Sequence, residues 1–150
     1  MSKPFPLQTL LDLAQADSNS AAARLGAING HERNMDQRLQ MLLAYRSEYA
    51  ERLTRVTQTG THGSDWRNFR EFIDKIDAAI ELQRELVTRA KHEVRNEQLH
   101  WHAQQRKLKS FDALSARHYS AERKSEARQE QKDQDEFSLR GFLGQRMMIG

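Results

Sequence analysis

The sequence predicts an all-α protein, a long antiparallel two-helix coiled-coil hairpin resembling the stalk of a rotor. Three observations carry that prediction. Apolar residues recur in unbroken heptads on both sides of the chain's middle. One short glycine-containing stretch, Thr57 to Asp65, interrupts them. Composition agrees: 37% of residues are hydrophobic, 30% are charged, and both prolines lie near the N-terminus. Few prolines and glycines, with abundant Gln, Arg, Glu, Ala and Leu, describe long helices that share a seam and lack a thick core.

The first helix is expected over about 6–57, with Pro4 and Pro6 tolerated just before or in its first turn. One seam column, d, reads Leu7, Ala14, Ala21, Ile28, Met35, Leu42, Tyr49, Val56. The other, a, alternates apolar and polar: Leu11, Ser18, Leu25, Glu32, Leu39, Arg46, Leu53. A seven-residue repeat sustained this long implies a left-handed coiled coil. The turn is expected over about 58–65, where Ser64 or Asp65 suits the cap of the next helix.

The second helix is expected over about 66–138. Its a column reads Trp66, Ile73, Ile80, Val87, Val94, Trp101, Leu108, and its d column Phe69, Ile76, Gln83, Ala90, Glu97, Gln104, Phe111. Arms of roughly 50 residues at about 1.5 Å per residue are about 75 Å long. Matched arms joined by a short loop lie antiparallel. With the turn centred near Thr61, Trp101 falls opposite Ala21 and Phe111 opposite Leu11, so large side chains face small ones. The polar seam residues Glu32, Arg46, Gln83 and Glu97 cost stability and fix register. After His118 the apolar seam fades into charged stripes, Glu122/Glu126/Glu130 and Lys124/Arg128/Lys132. Residues 139–150 read as a flexible tail, and the whole chain as a single domain.

Several function classes fall away. There is no cysteine, hence no disulfide, thiolate nucleophile or Cys-ligated metal. No stretch approaches the roughly 20 apolar residues of a membrane span, and the N-terminus has no apolar signal core. A soluble, cytoplasmic protein is expected. No Gly-rich phosphate loop or nucleophile elbow is present. Glu97-Gln-Leu-His100 has the Glu-x-x-His spacing of di-iron bundles, but the first helix offers no matching ligands. We therefore expect no catalytic residues, no metal, no cofactor and no enzymatic activity.

The formal net charge of +3 and isoelectric point near 9.4 raise the question of nucleic acid. Arg106-Lys-Leu-Lys109 with Arg24, Arg33 and Arg38 forms a basic surface, but acids intervene and stacking aromatics are not interleaved. The edges of the coil say more. The e positions of the second helix are Arg70, Asp77, Arg84, Lys91, Gln98 and Gln105, a solvated edge. Its g positions near the turn are Phe72, Ala79 and Leu86, and the first helix places Tyr45 at g between Arg38 and Arg52. An apolar edge there fits a protein partner. Spacing alone leaves open the alternative that these residues widen the core.

The residues also resemble a known family. Phe5-x-Leu7-x-x-Leu10-Leu11-x-Leu13-Ala14, Leu39-x-Met41-Leu42-x-x-Tyr45-x-x-Glu48-Tyr49 and Phe72-x-x-x-Ile76-x-x-Ala79-Ile80-x-x-Gln83 look like the FliJ family, as does the ending Asp135-Glu136-Phe137. These are stalk proteins of the bacterial flagellar type III export apparatus. The resemblance implies a hairpin in the central pore of a hexameric export ATPase, helping that ring assemble. It also implies contact with the cytoplasmic linker of the export gate, handling of export chaperones, and a place at the flagellar base peripheral to the inner membrane. The gate-binding patch would map onto Leu42, Tyr45, Tyr49, Phe72, Ile76, Ala79 and Gln83. Arg38 stands where the family pattern has an amide, and Gln83 where it has a histidine. The related stalk of a virulence-type secretion system, or a helical-hairpin module binding RNA or chaperones, are the alternative readings.

Overall fold

The computed structural model describes residues 3–60 and 63–149, with side chains to residue 147. Two helices account for nearly all of it: α1, Gln8–Gln58, and α2, Gly63–Ile149. No strand occurs among the described residues. The predicted all-α hairpin is present, with α1 and α2 running antiparallel and packed on each other. No helix is long and apolar enough to cross a membrane among the described residues.

The ends follow from local chemistry. The amide of Gln8 donates to the Phe5 carbonyl (3.1 Å) and that of Leu11 to Leu7 (3.0 Å), so α1 opens just after Pro6, whose missing N–H costs nothing there. At its other end, Thr57 Oγ1 donates to the Leu53 carbonyl (2.8 Å) and Thr59 Oγ1 to Arg55 (3.0 Å). These hydroxyls back-bond to carbonyls that also accept a backbone amide, as the Arg55 carbonyl does from the Thr59 N–H at 2.9 Å. Gly60 follows with φ at 71°, the left-handed conformation that closes helices. The predicted centre of the turn, Thr61, lies outside the described residues.

Two boundaries differ from expectation. α2 begins at Gly63, so Ser64 and Asp65 sit inside its first turn and not at its cap. Asp65 still lies at the positive end of the helix dipole. At the C-terminus, helix continues to Ile149, where sequence placed its end near 138. Gly141 and Gly144 each cost about 1 kcal/mol of helix propensity, but no proline forces a stop.

The chain divides into two compact units, Asn19–Ala103 and Met1–Ser18 with Gln104–Gly150. In the first, the seam is filled by Ala21, Met35, Ile73, Ile76, Ile80, Val87 and Ala90, all buried. Met35, Val87 and Ala90 form a cluster, with Leu39 packed against it. The seam also holds polar groups. Buried Gln83 Nε2 donates to the Met35 backbone carbonyl of α1 at 2.9 Å. Half-buried Glu97 and Trp101 carry shielded polar atoms, Oε2 and Nε1, that have no partner among the described residues. Arg46, a seam position by heptad, instead turns outward and pairs with Asp77 of α2. Trp66, also a seam position, is exposed.

In the second unit, Phe5, Ala14, Ser18 and Leu108 are buried. Gln105 Nε2 donates to Ser18 Oγ at 2.8 Å. The ring of Phe5 lies 5.6 Å from that of His118, whose Nε2 donates to the Lys3 carbonyl at 2.9 Å. The N-terminal segment is thereby fixed against α2 before α1 begins.

Candidate partner-binding site

The heptad assigns Leu42 and Tyr49 to the seam of α1, Tyr45 to its g edge, Phe72 to the g edge of α2 and Ile76 to the seam beside it. The fold brings all five around one groove of ≈ 320 Å³. Ile76 is buried and forms the floor; Leu42 and Tyr49 are half-buried; Tyr45 and Phe72 remain 49% and 44% exposed and form the rims. Tyr49 and Phe72 meet across the helices at 4.5 Å between ring centroids, tilted by 48°. Such inclined pairs are favourable beyond the area they bury.

A second, smaller hollow of ≈ 220 Å³ continues toward the turn, between Tyr49, Asn68, Phe69 and Phe72. Phe69 lies 6.5 Å from Tyr49. Over the Tyr49 ring, at 5.2 Å, rests the guanidinium of Arg52, which Glu48 Oε1 holds at 3.0 Å. The sequence placed Arg52 beside Tyr45 without showing that it covers Tyr49. Spacing gives a signal for this in hindsight: Arg52 is one turn from Glu48 and three residues from Tyr49.

The remaining expected site residues fall differently. Ala79 is half-buried next to the groove's α2 wall. Gln83 is only 9% exposed, and its amide nitrogen donates to the Met35 carbonyl across the helix pair, so it lies in the seam and not on the groove's wall. On the opposite edge, the Arg46–Asp77 pair ties α1 to α2 at the level of the groove. The hydrogen bond and charge of Asp77 raise the Arg46 pKa above its ordinary value.

Chemically this is a desolvation site. Its walls are aromatic and aliphatic, and the Arg52 guanidinium lies over the Tyr49 ring. It can bury apolar side chains of a partner and meet an acidic group through Arg52. Among the described residues no three His, Cys, Asp or Glu side chains converge to hold a metal ion.

The class so defined is an antiparallel coiled-coil hairpin with an aromatic groove on one edge near its turn. Residues 2–147 match the model of a family described as flagellar FliJ protein. The chain is 30% identical over 143 residues to the flagellar FliJ protein of Salmonella typhi, covering 95% of this chain and 97% of that one. Its identity to the flagellar FliJ protein of Escherichia coli strain K12 is 29% over the same length, with the same coverage. This chain belongs to the FliJ family of flagellar proteins.

Proposed function

We propose that the protein is the non-enzymatic stalk of a flagellar type III export apparatus. It sits in the central pore of the hexameric export ATPase, promotes that ring's assembly and activity, and links it to the cytoplasmic part of the export gate. It also binds export chaperones, and reaches the inner membrane only through these partners. The observation that carries this reading is family membership across nearly the whole chain, joined to an exposed aromatic groove at the residues expected for gate contact. An apolar groove gains by desolvation and suits a defined protein surface. The charged faces of α2 between His118 and Glu136 suit a polar channel in which a shaft must not stick, because screened surface pairs are individually weak.

The test separates the two ends. Tyr45→Ala with Phe72→Ala is expected to abolish capture of the purified gate domain and leave ATPase stimulation nearly unchanged. Truncation after Ser120 is expected to do the reverse. If the double aromatic variant lost ATPase stimulation but kept the gate, the proposed polarity would be backwards. If neither the gate domain nor the hexameric ATPase bound the intact chain, the stalk reading would fail.

A further inference from the structure

No described side chain of α2 from residue 127 to 147 is buried. The helix nevertheless continues to Ile149. Over the first part its surface is charge and amide, supported by one-turn contacts such as Gln129–Asp133 and Gln131–Asp135, both 3.1 Å. From Phe137 the character changes: no acid follows, and Phe137, Leu139, Phe142, Leu143 and Met147 are large, apolar and exposed.

Carrying the heptads of α2 onward from Leu108 and Phe111 puts Glu136 and Leu143 in column a, and Leu139 and Arg146 in column d. The seam therefore reads Glu136, Leu139, Leu143, Arg146, at intervals of three, four and three residues. That order of intervals is the same from either end. In an antiparallel pair, a of one helix packs on d of the other. Turned end for end on a second copy, Leu139 meets Leu143 twice and Glu136 meets Arg146 twice. Phe142, at g, meets its own counterpart near the two-fold axis. This is the self-complementarity an isologous interface requires.

We propose that residues 136–146 of α2 pair antiparallel with the same residues of a second copy of this chain. Leu139, Phe142 and Leu143, exposed by 59%, 58% and 50%, are the surface that pairing covers. Arg146 already lies on that side, its guanidinium 5.9 Å from the Phe142 ring. A lipid surface fits the segment less well. Glu136 shares the face of the two leucines and would meet anionic headgroups, while Phe137, the next residue along the helix, lies about 100° round from it. So short an interface falls below the ~1,200 Å² of stable complexes, and pairing is weak and concentration-dependent. The inference does not depend on the export reading.

Sedimentation of the full chain from tens to hundreds of micromolar tests it. The wild type is expected to pass from monomer to dimer. Glu136→Arg and Arg146→Glu, each setting like charges opposite one another twice, are expected to weaken pairing by roughly tenfold or more. Mixing the two variants in equal amounts restores both opposite-charge contacts, and with them the dimer. Because the chain has no cysteine, Phe142→Cys is expected to give a disulfide-linked dimer with an added thiol oxidant, and Ser138→Cys, on the outward side, is not. The proposal is overturned if the wild type stays monomeric throughout, if the mixture pairs no better than either variant alone, or if Ser138→Cys cross-links as well as Phe142→Cys. Binding to phosphatidylglycerol vesicles that Glu136→Arg strengthens, without any self-pairing, would assign the surface to lipid instead.

Discussion

Gln83 gives the sharpest test of how the hairpin is held. Its carboxamide is buried, with Nε2 2.9 Å from the Met35 carbonyl and 3.6 Å from the Met35 sulfur. Met35 lies well inside α1, so its carbonyl also accepts a helical amide from its own chain. Removing the glutamine therefore does not strand that acceptor. Gln83→Ala loses a neutral hydrogen bond of net worth about 1 kcal/mol and a buried methylene worth about 0.8 kcal/mol. The expected cost is about 2 kcal/mol, a fall in melting temperature of roughly 4–8 °C for a chain of this size. Gln83→Leu keeps the volume and replaces both polar atoms with apolar surface, so its change stays below about 1 kcal/mol. Thermal unfolding followed by far-ultraviolet circular dichroism measures both. Capture of the gate domain by the leucine variant should match wild type. If Gln83→Ala melted at the wild-type temperature yet lost the partner, Gln83 would be a surface contact and the register argument would be wrong. If Gln83→Leu proved the more damaging of the two, the amide would be carrying more than its bond to Met35.

Two further substitutions test the packing of each unit. Trp101→Ala removes a half-buried indole whose Nε1 has no partner among the described residues. Its cost should be about 2–3 kcal/mol, below the range for a fully buried tryptophan, and an unchanged urea midpoint would show the indole contributes no packing. Phe5→Ala should release the N-terminal segment from His118 and lower hydrogen-exchange protection of the Gln8 and Leu11 amides, with the global melting point moving far less. Uniform loss of protection along both helices would mean that Phe5 belongs to the global core.

Sequence by itself determined the pair of helices and which face of each is buried. Ala14, Ala21, Met35, Ile73, Ile80, Val87, Ala90 and Leu108 were all legible as seam residues, and all are buried. This is because heptad periodicity is a property of one helix: the angle at which a side chain leaves the axis depends only on its position along the chain. It could not say how each side chain resolves the meeting of two helices. Arg46 and Gln83 are both polar seam residues by spacing, yet Arg46 turns out to Asp77 and Gln83 turns in to Met35. The long arginine can carry its charge to water at the edge, where a carboxylate waits on the other helix; the glutamine is neutral and finds a carbonyl within reach inside the seam. The groove has the same origin. Tyr45 and Phe72 were visible as an apolar edge and Tyr49 as a seam residue, but only the register of α1 on α2 brings Tyr49 within 4.5 Å of Phe72, with Arg52 over the Tyr49 ring. Distances across a helix pair depend on both chains' positions at once, and that is the information no single run of residues contains.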